Sequence, residues 1–108
     1  MCGRYYLNSN AVNEIESLIW KINKRTGSNL PASLTLQTGD ICPTQLAPIL
    51  LASREGNDLC CHMQRWGFVT QQGKIVFNAR SETAAKKLMF SESLVCKRVV
   101  IPAVWFYE

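Results

Sequence analysis

The sequence predicts an α+β fold, a mainly antiparallel sheet carrying one long and one short helix. Three observations point there: apolar residues at helical spacing near the N-terminus, paired apolar runs around turn formers in the middle, and a β-branched and aromatic stretch at the end. The 108 residues supply one domain at most, or part of one. Apolar residues make up 47% and charged residues 19%, the balance of a folded chain rather than a disordered tail. The net charge of +4 is mild; it permits an anionic partner such as nucleic acid without requiring one.

The long helix comes from "NSNAVNEIESLIWKINKRTG", where Val12, Ile15, Leu18, Ile19 and Ile22 form one apolar face. Asn8 or Ser9 can cap it and Gly27 can stop it. The next stretch, "SNLPASLTLQTGDICPTQLAP", is rich in turn formers and prolines and reads as an irregular surface excursion. From Leu46, "LAPILLASREGNDLCCHMQRWGFV" is two apolar runs around a Glu-Gly-Asn-Asp turn, and "VTQQGKIVFNAR" repeats the pattern around Gln-Gln-Gly. Together they predict a meander of antiparallel strands. The short helix follows over "SETAAKKLMF" with Ser81 as its cap, and "KRVVIPAVWFYE" predicts one last strand. That strand stops at Glu108 with no turn, polar tail or partner strand after it, as in a chain cut rather than finished.

Several function classes drop out. No charged stretch leads into a long apolar run and no window spans a bilayer, so neither a secretion signal nor a membrane segment is seen; a cytoplasmic, nucleoid-associated location is expected. The five cysteines are odd in number and never in C-x-x-C spacing, which argues against a disulfide framework and a zinc site. Cys42, Cys60, Cys61 and Cys96 read as small buried hydrophobes; Cys2 stands apart because it directly follows Met1. No repeat, phosphate loop, H-E-x-x-H or G-x-S-x-G elbow occurs, and no cofactor or metal is implied.

The remaining chemistry lies in scattered residues. His62 has no base, nucleophile or ligand partner at a recognisable spacing and reads as structural or surface. Trp66-Gly67 reads as a core plug, or as an aromatic platform beside a glycine that lets another chain approach. By strand alternation Asn78 and Arg80 share a face, an amide beside a guanidinium, or else mark an ordinary exposed strand end. Glu108 is an acid behind Trp105-Phe106-Tyr107, a setting that suits proton transfer, or simply the last exposed residue.

The stretches "MCGRYYL", "ICPTQLAPIL", "RWGFV", "FNARSET" and "RVVIPAVWFYE" occur in the order and spacing of one family. Together they resemble the SOS-response-associated peptidase family, whose bacterial members are also described as abasic-site processing proteins. The resemblance implies that Met1 is removed, and that Cys2 becomes the N-terminal residue and crosslinks to abasic sites in single-stranded DNA. An opened abasic sugar carries an aldehyde, which a free α-amine with a pKa of about 7.7–8.0 attacks near neutral pH. The thiol on the same residue then closes a five-membered thiazolidine, which an internal cysteine cannot do. By the same resemblance Asn78 holds the sugar or the reacting amine, and Glu108 serves as general acid or base. Arg4 and Arg80 would clamp phosphates, and Trp66 with Pro43 would pack against flanking bases.

Three departures accompany the match. The family continues well past the glutamate matching Glu108 and supplies an active-site histidine there that no residue of this chain matches. With Met1 retained, the Cys2 nitrogen is an amide and ring closure is blocked. Trp105 stands where the family usually has glycine. The reading is therefore a curved antiparallel sheet or open barrel over residues 1–108, the N-terminal portion of a single domain, with unpaired strand edges that favour self-association. The partner expected is single-stranded DNA with abasic sites, with no membrane and no metal. The alternatives are a thiol peptidase acting on its own N-terminus and a non-covalent single-strand binder.

Overall fold

The computed structural model describes residues 2–26, 36–53 and 59–108. The long helix forms as its spacing requires: α1 runs Ser9–Thr26, burying Val12, Ile15, Ile19 and Ile22 while Leu18 is half-buried. Asn8 is the cap, its Oδ1 accepting the Ala11 N–H at 2.8 Å. The stop expected at Gly27 lies outside the described residues.

Ahead of α1, strand β1 (Arg4–Leu7) turns Tyr5 and Leu7 inward and exposes Arg4. The excursion after α1 is not wholly irregular. Its residues Gly39–Ile41 form β2, antiparallel to β1 with Tyr6 opposite Asp40. A three-residue strand holding a glycine and an aspartate has no local pattern; pairing with β1 makes it a strand.

The middle hairpin appears as expected, β3 (Leu46–Ala52) against β4 (Leu59–Arg65), its turn lying outside the described residues. The pair contributes Ala47, Leu50, Cys61 and Met63 to the core with Leu7 and Ile41, and Pro48 is fully buried as well. Then β5 (Phe68–Val69) pairs with β6 (Ile75–Val76) around Thr70–Lys74.

The short helix is two. α2 covers Ser81–Ala84 and α3 covers Leu88–Cys96, with Lys87 extended between them. Restarting at Leu88 lets Phe90 bury itself against Phe68, with centroids 5.2 Å apart and rings edge to face. Ser81 is the first helical residue, and Arg80 occupies the cap position without a side-chain bond.

The last predicted strand is also divided. Val100 bridges Leu50 through two backbone bonds, Pro102 interrupts the extended run, and β7 (Trp105–Tyr107) then pairs antiparallel with β1. The terminal strand thus has the partner its sequence did not reveal. The described strands form three small sheets, β2-β1-β7, β3-β4 and β5-β6. The result is α+β with antiparallel pairing, but without one continuous sheet or a closed barrel. Of the four cysteines read as buried, only Cys61 is; Cys42 and Cys60 are half-buried and Cys96 is exposed at the open end of α3.

Candidate functional site

The β1–β7 ladder sets Arg4 opposite Tyr107, so the next step of the register sets Gly3 opposite Glu108. On the other side of Gly3 lies Phe77, whose Cε2 would be 3.8 Å from a Cβ placed there. Cys2 precedes Gly3 and Asn78 follows Phe77, so the backbone segments that carry Cys2, Asn78 and Glu108 adjoin at this glycine. Three segments remote in sequence meet at one end of β1.

The local chemistry differs among the three. The half-buried Cys2 donates its thiol to the Arg4 carbonyl at 3.5 Å. Asn78 is half-buried, and its Nδ2 is wholly enclosed without an acceptor. An enclosed amide donor with nothing to donate to is costly, and such costs concentrate where a ligand completes the bond. Glu108 is exposed, so the aromatic residues before it do not enclose it. Asn78 and Arg80 follow the end of β6 rather than lying within it, so strand alternation does not define a shared face for them.

The predicted phosphate clamp is only partly free. Arg4 Nη1 lies 3.1 Å from Asp40 Oδ2, and its guanidinium carbon sits 4.4 Å from the Tyr107 ring centroid. A phosphate at Arg4 must compete with Asp40, although both side chains are solvent-exposed enough for that pair to be weak. Arg80 is exposed, and among the described residues its side chain has no recorded partner.

Trp66 packs between Tyr5, at 5.5 Å between centroids, and Phe77, at 6.5 Å and edge to face. It is half-buried against the core rather than standing free. The adjoining Gly67 is required by its surroundings: φ is +117°, and a Cβ would lie 2.5 Å from Ile75 Cγ2. The chain that approaches this glycine is β6.

Pro43 sits in a turn closed by the Gln45 N–H to the Cys42 carbonyl at 3.2 Å, with Thr44 at φ 77°. Proline second and a positive φ third is the type II pattern, strained here because the third residue is β-branched. Trp66 and Arg65 hold it. The Thr44 N–H donates to the Trp66 carbonyl at 2.9 Å, Trp66 N–H to the Gln45 carbonyl at 3.0 Å, and Arg65 Nη1 to the Thr44 carbonyl at 2.5 Å. Pro43 and Trp66 therefore belong to one rigid unit.

Sequence reading missed Asp40, Tyr107, Phe77 and Tyr5 as neighbours of these residues. Asp40 lay in a stretch read as irregular, and the others are ordinary strand aromatics until the register brings them together. Among the described residues, no group of three His, Cys, Asp or Glu side chains is arranged to hold a metal ion. No helix among them is long and apolar enough to cross a membrane.

Residues 1–108 match the family model described as SOS response associated peptidase (SRAP). The chain is 32% identical to the abasic site processing protein YoqW of Bacillus subtilis (strain 168), over 100% of this chain and 47% of that protein, and equally to YoqW of Bacillus phage SPbeta. It is also 32% identical to the abasic site processing protein YobE of Bacillus subtilis (strain 168), over 100% of this chain and 48% of that one. It thus spans about half the length of these curated relatives, and no solved structure matches it. With the family model covering the whole chain, the protein belongs to the SOS response associated peptidase family.

Proposed function

We propose that this protein processes abasic sites in DNA, and that it does so by recognising them in single strands and bonding to them through Cys2 once Met1 is removed. The observation that carries the reading is that the segments bearing Cys2, Asn78 and Glu108 adjoin at Gly3, with the Asn78 Nδ2 donor enclosed and unspent. The names of its relatives, abasic site processing proteins, support the substrate.

The chemistry balances as a condensation. The freed α-amine of Cys2 adds to the aldehyde carbon of the opened sugar, and the carbinolamine loses one water to give an imine. The Cys2 thiol then adds to the same carbon while its proton passes to nitrogen, closing the thiazolidine. Glu108 gives a proton to the departing hydroxyl and recovers the one that the amine nitrogen releases as the imine forms. Asn78, with its unspent Nδ2 donor, holds a sugar oxygen so that the aldehyde faces the amine.

A peptidase reading is kept by the family's own description and uses the same residues. It differs in releasing Met1 by hydrolysis with no need for DNA.

Intact mass before and after mixing with a single-stranded oligonucleotide bearing one abasic site tests the proposal. The expected result is a Met-free chain that gains the oligonucleotide mass less one water, and a Cys2→Ser chain that forms no denaturation-resistant adduct. A Met-free wild-type chain that stays unmodified would overturn crosslinking by this chain. Methionine release in the absence of DNA, with no adduct, would favour the peptidase.

A further inference from the structure

Arg4 lies on the middle strand of the sheet β2-β1-β7, and each flanking strand brings one group to it. Tyr107 stands directly opposite on β7, and its ring lies against the guanidinium, with 4.4 Å between the ring centroid and the guanidinium carbon. Asp40 stands opposite Tyr6 on β2, which makes it the diagonal neighbour of Arg4 on the same face of the sheet. Its Oδ2 accepts a hydrogen bond from Arg4 Nη1 at 3.1 Å. The other face of these strands carries the buried Tyr5, Leu7 and Ile41, and Arg4 and Asp40 are both exposed. An exposed pair usually gains little, because two side chains must be ordered to make it. Here the Tyr107 ring already holds Arg4, and Asp40 meets a guanidinium that is in place.

Arg4 directly follows Gly3, the point where the segments bearing Cys2, Asn78 and Glu108 adjoin. That sets its charge beside the backbone of a strand whose abasic sugar reaches Cys2. A carboxylate bonded to this arginine presents the same kind of anionic oxygen that a phosphate does. A strand gains the full charge of Arg4 only by displacing Asp40. The displaced carboxylate then stands near the incoming phosphate with the same sign of charge.

We propose that Asp40 is an internal competitor for the phosphate at Arg4 and so limits the hold of this chain on intact single strands, an assignment that rests on the single-strand reading above. Phosphate contacts hold a strand without reading what it carries. Weakening one of them lowers the affinity for damaged and intact strands alike. Only a strand that offers an aldehyde to Cys2 is then retained, through a covalent bond that Asp40 does not oppose. Asp40 in this way sets specificity without touching the reacting atoms.

The test is anisotropy of a fluorescein-labelled oligothymidylate without abasic sites, measured over a series of salt concentrations. Asp40→Asn keeps the shape of the side chain and an acceptor oxygen but removes the charge. It is expected to tighten binding about threefold and to steepen the log-log salt slope by up to about 0.7, one single-strand phosphate contact. Both side chains are exposed, so neither Asp40→Asn nor Arg4→Ala removes a core contact. In an Arg4→Ala background, Asp40→Asn is expected to leave affinity and slope where Arg4→Ala alone puts them. Unchanged or weaker binding by Asp40→Asn would overturn the proposal, even if the wild-type chain forms abasic adducts. Equal tightening with and without Arg4 would overturn it too, by showing that the lost charge acts at large and not through this arginine. Absence of adducts in the wild-type chain, while Asp40→Asn still tightens through Arg4, would sink the crosslinking reading and leave Asp40 as the competitor.

Discussion

Tyr5 shows how much one side chain carries. It is 5% exposed, with a hydroxyl that is enclosed and unpartnered, and burial pushes its pKa up to about 12 from the ordinary 10.0. Between those values the folded chain keeps a proton that the unfolded chain has lost. Stability that is fully present below about pH 10 therefore falls as pH rises through about 12, by a total on the order of 2–3 kcal/mol. Tyr5→Phe removes a hydroxyl that makes no bond. It is expected to raise stability at neutral pH by about 1 kcal/mol and to remove Tyr5's share of the alkaline loss, leaving that of the buried Cys61 thiol, whose pKa burial also raises. Thermal melts of both chains between neutral pH and pH 11 check this, and an unchanged alkaline slope in Tyr5→Phe would refute it. Nothing in "GRYYL" marks Tyr5 as the buried one of the pair; strand alternation allows either face, and the position of α1 decides.

At the scale of the element, the turn at Pro43 and the Trp66-Gly67 step act as one joint between β2 and the two hairpins. Thr44 accepts a positive φ because three hydrogen bonds between the turn and Arg65 or Trp66, one donated by Thr44 itself, and the Cys42 N–H donating to Gln45 Oε1 at 2.6 Å hold the turn closed. Gly67 is the other half. Gly67→Ala meets both a disfavoured φ of +117° and Ile75 Cγ2 at 2.5 Å, and β6 must shift to admit it. The expected cost is about 1–3 kcal/mol, read from urea melts. A loss within 0.3 kcal/mol of zero would mean that β6 moves away freely. The glycine was legible in the sequence as a close-approach site, but which strand approaches it was not.

The whole molecule is built around α1, with apolar side chains left uncovered at the opposite end of the chain. Val95 is 77% exposed, Val100 60% and Phe106 64%, and among the described strands β7 has one edge without a partner at the margin of its sheet. Exposed apolar strand edges pair with other copies. The chain is expected to associate as its concentration rises, and Phe106→Lys, which puts a charge on that edge, to shift it toward monomer in sedimentation. Identical distributions for the two chains would refute an association through β7.

The sequence by itself determined α1, because a 3.6-residue apolar period leaves little choice, and the β3–β4 hairpin, because two apolar runs flank a strong turn. It also determined the family, through short motifs kept in order. Only the tertiary structure decided that Gly39–Ile41 is a strand and that the last apolar run serves two different sheets on either side of Pro102. It alone brought the ends of β1 and β7 and the Phe77 ring to Gly3 and gave Arg4 to Asp40 and Tyr107. The physical reason is the same in each case: periodicity is a local signal, whereas the register between strands tens of residues apart is set by which pairing buries the most apolar surface.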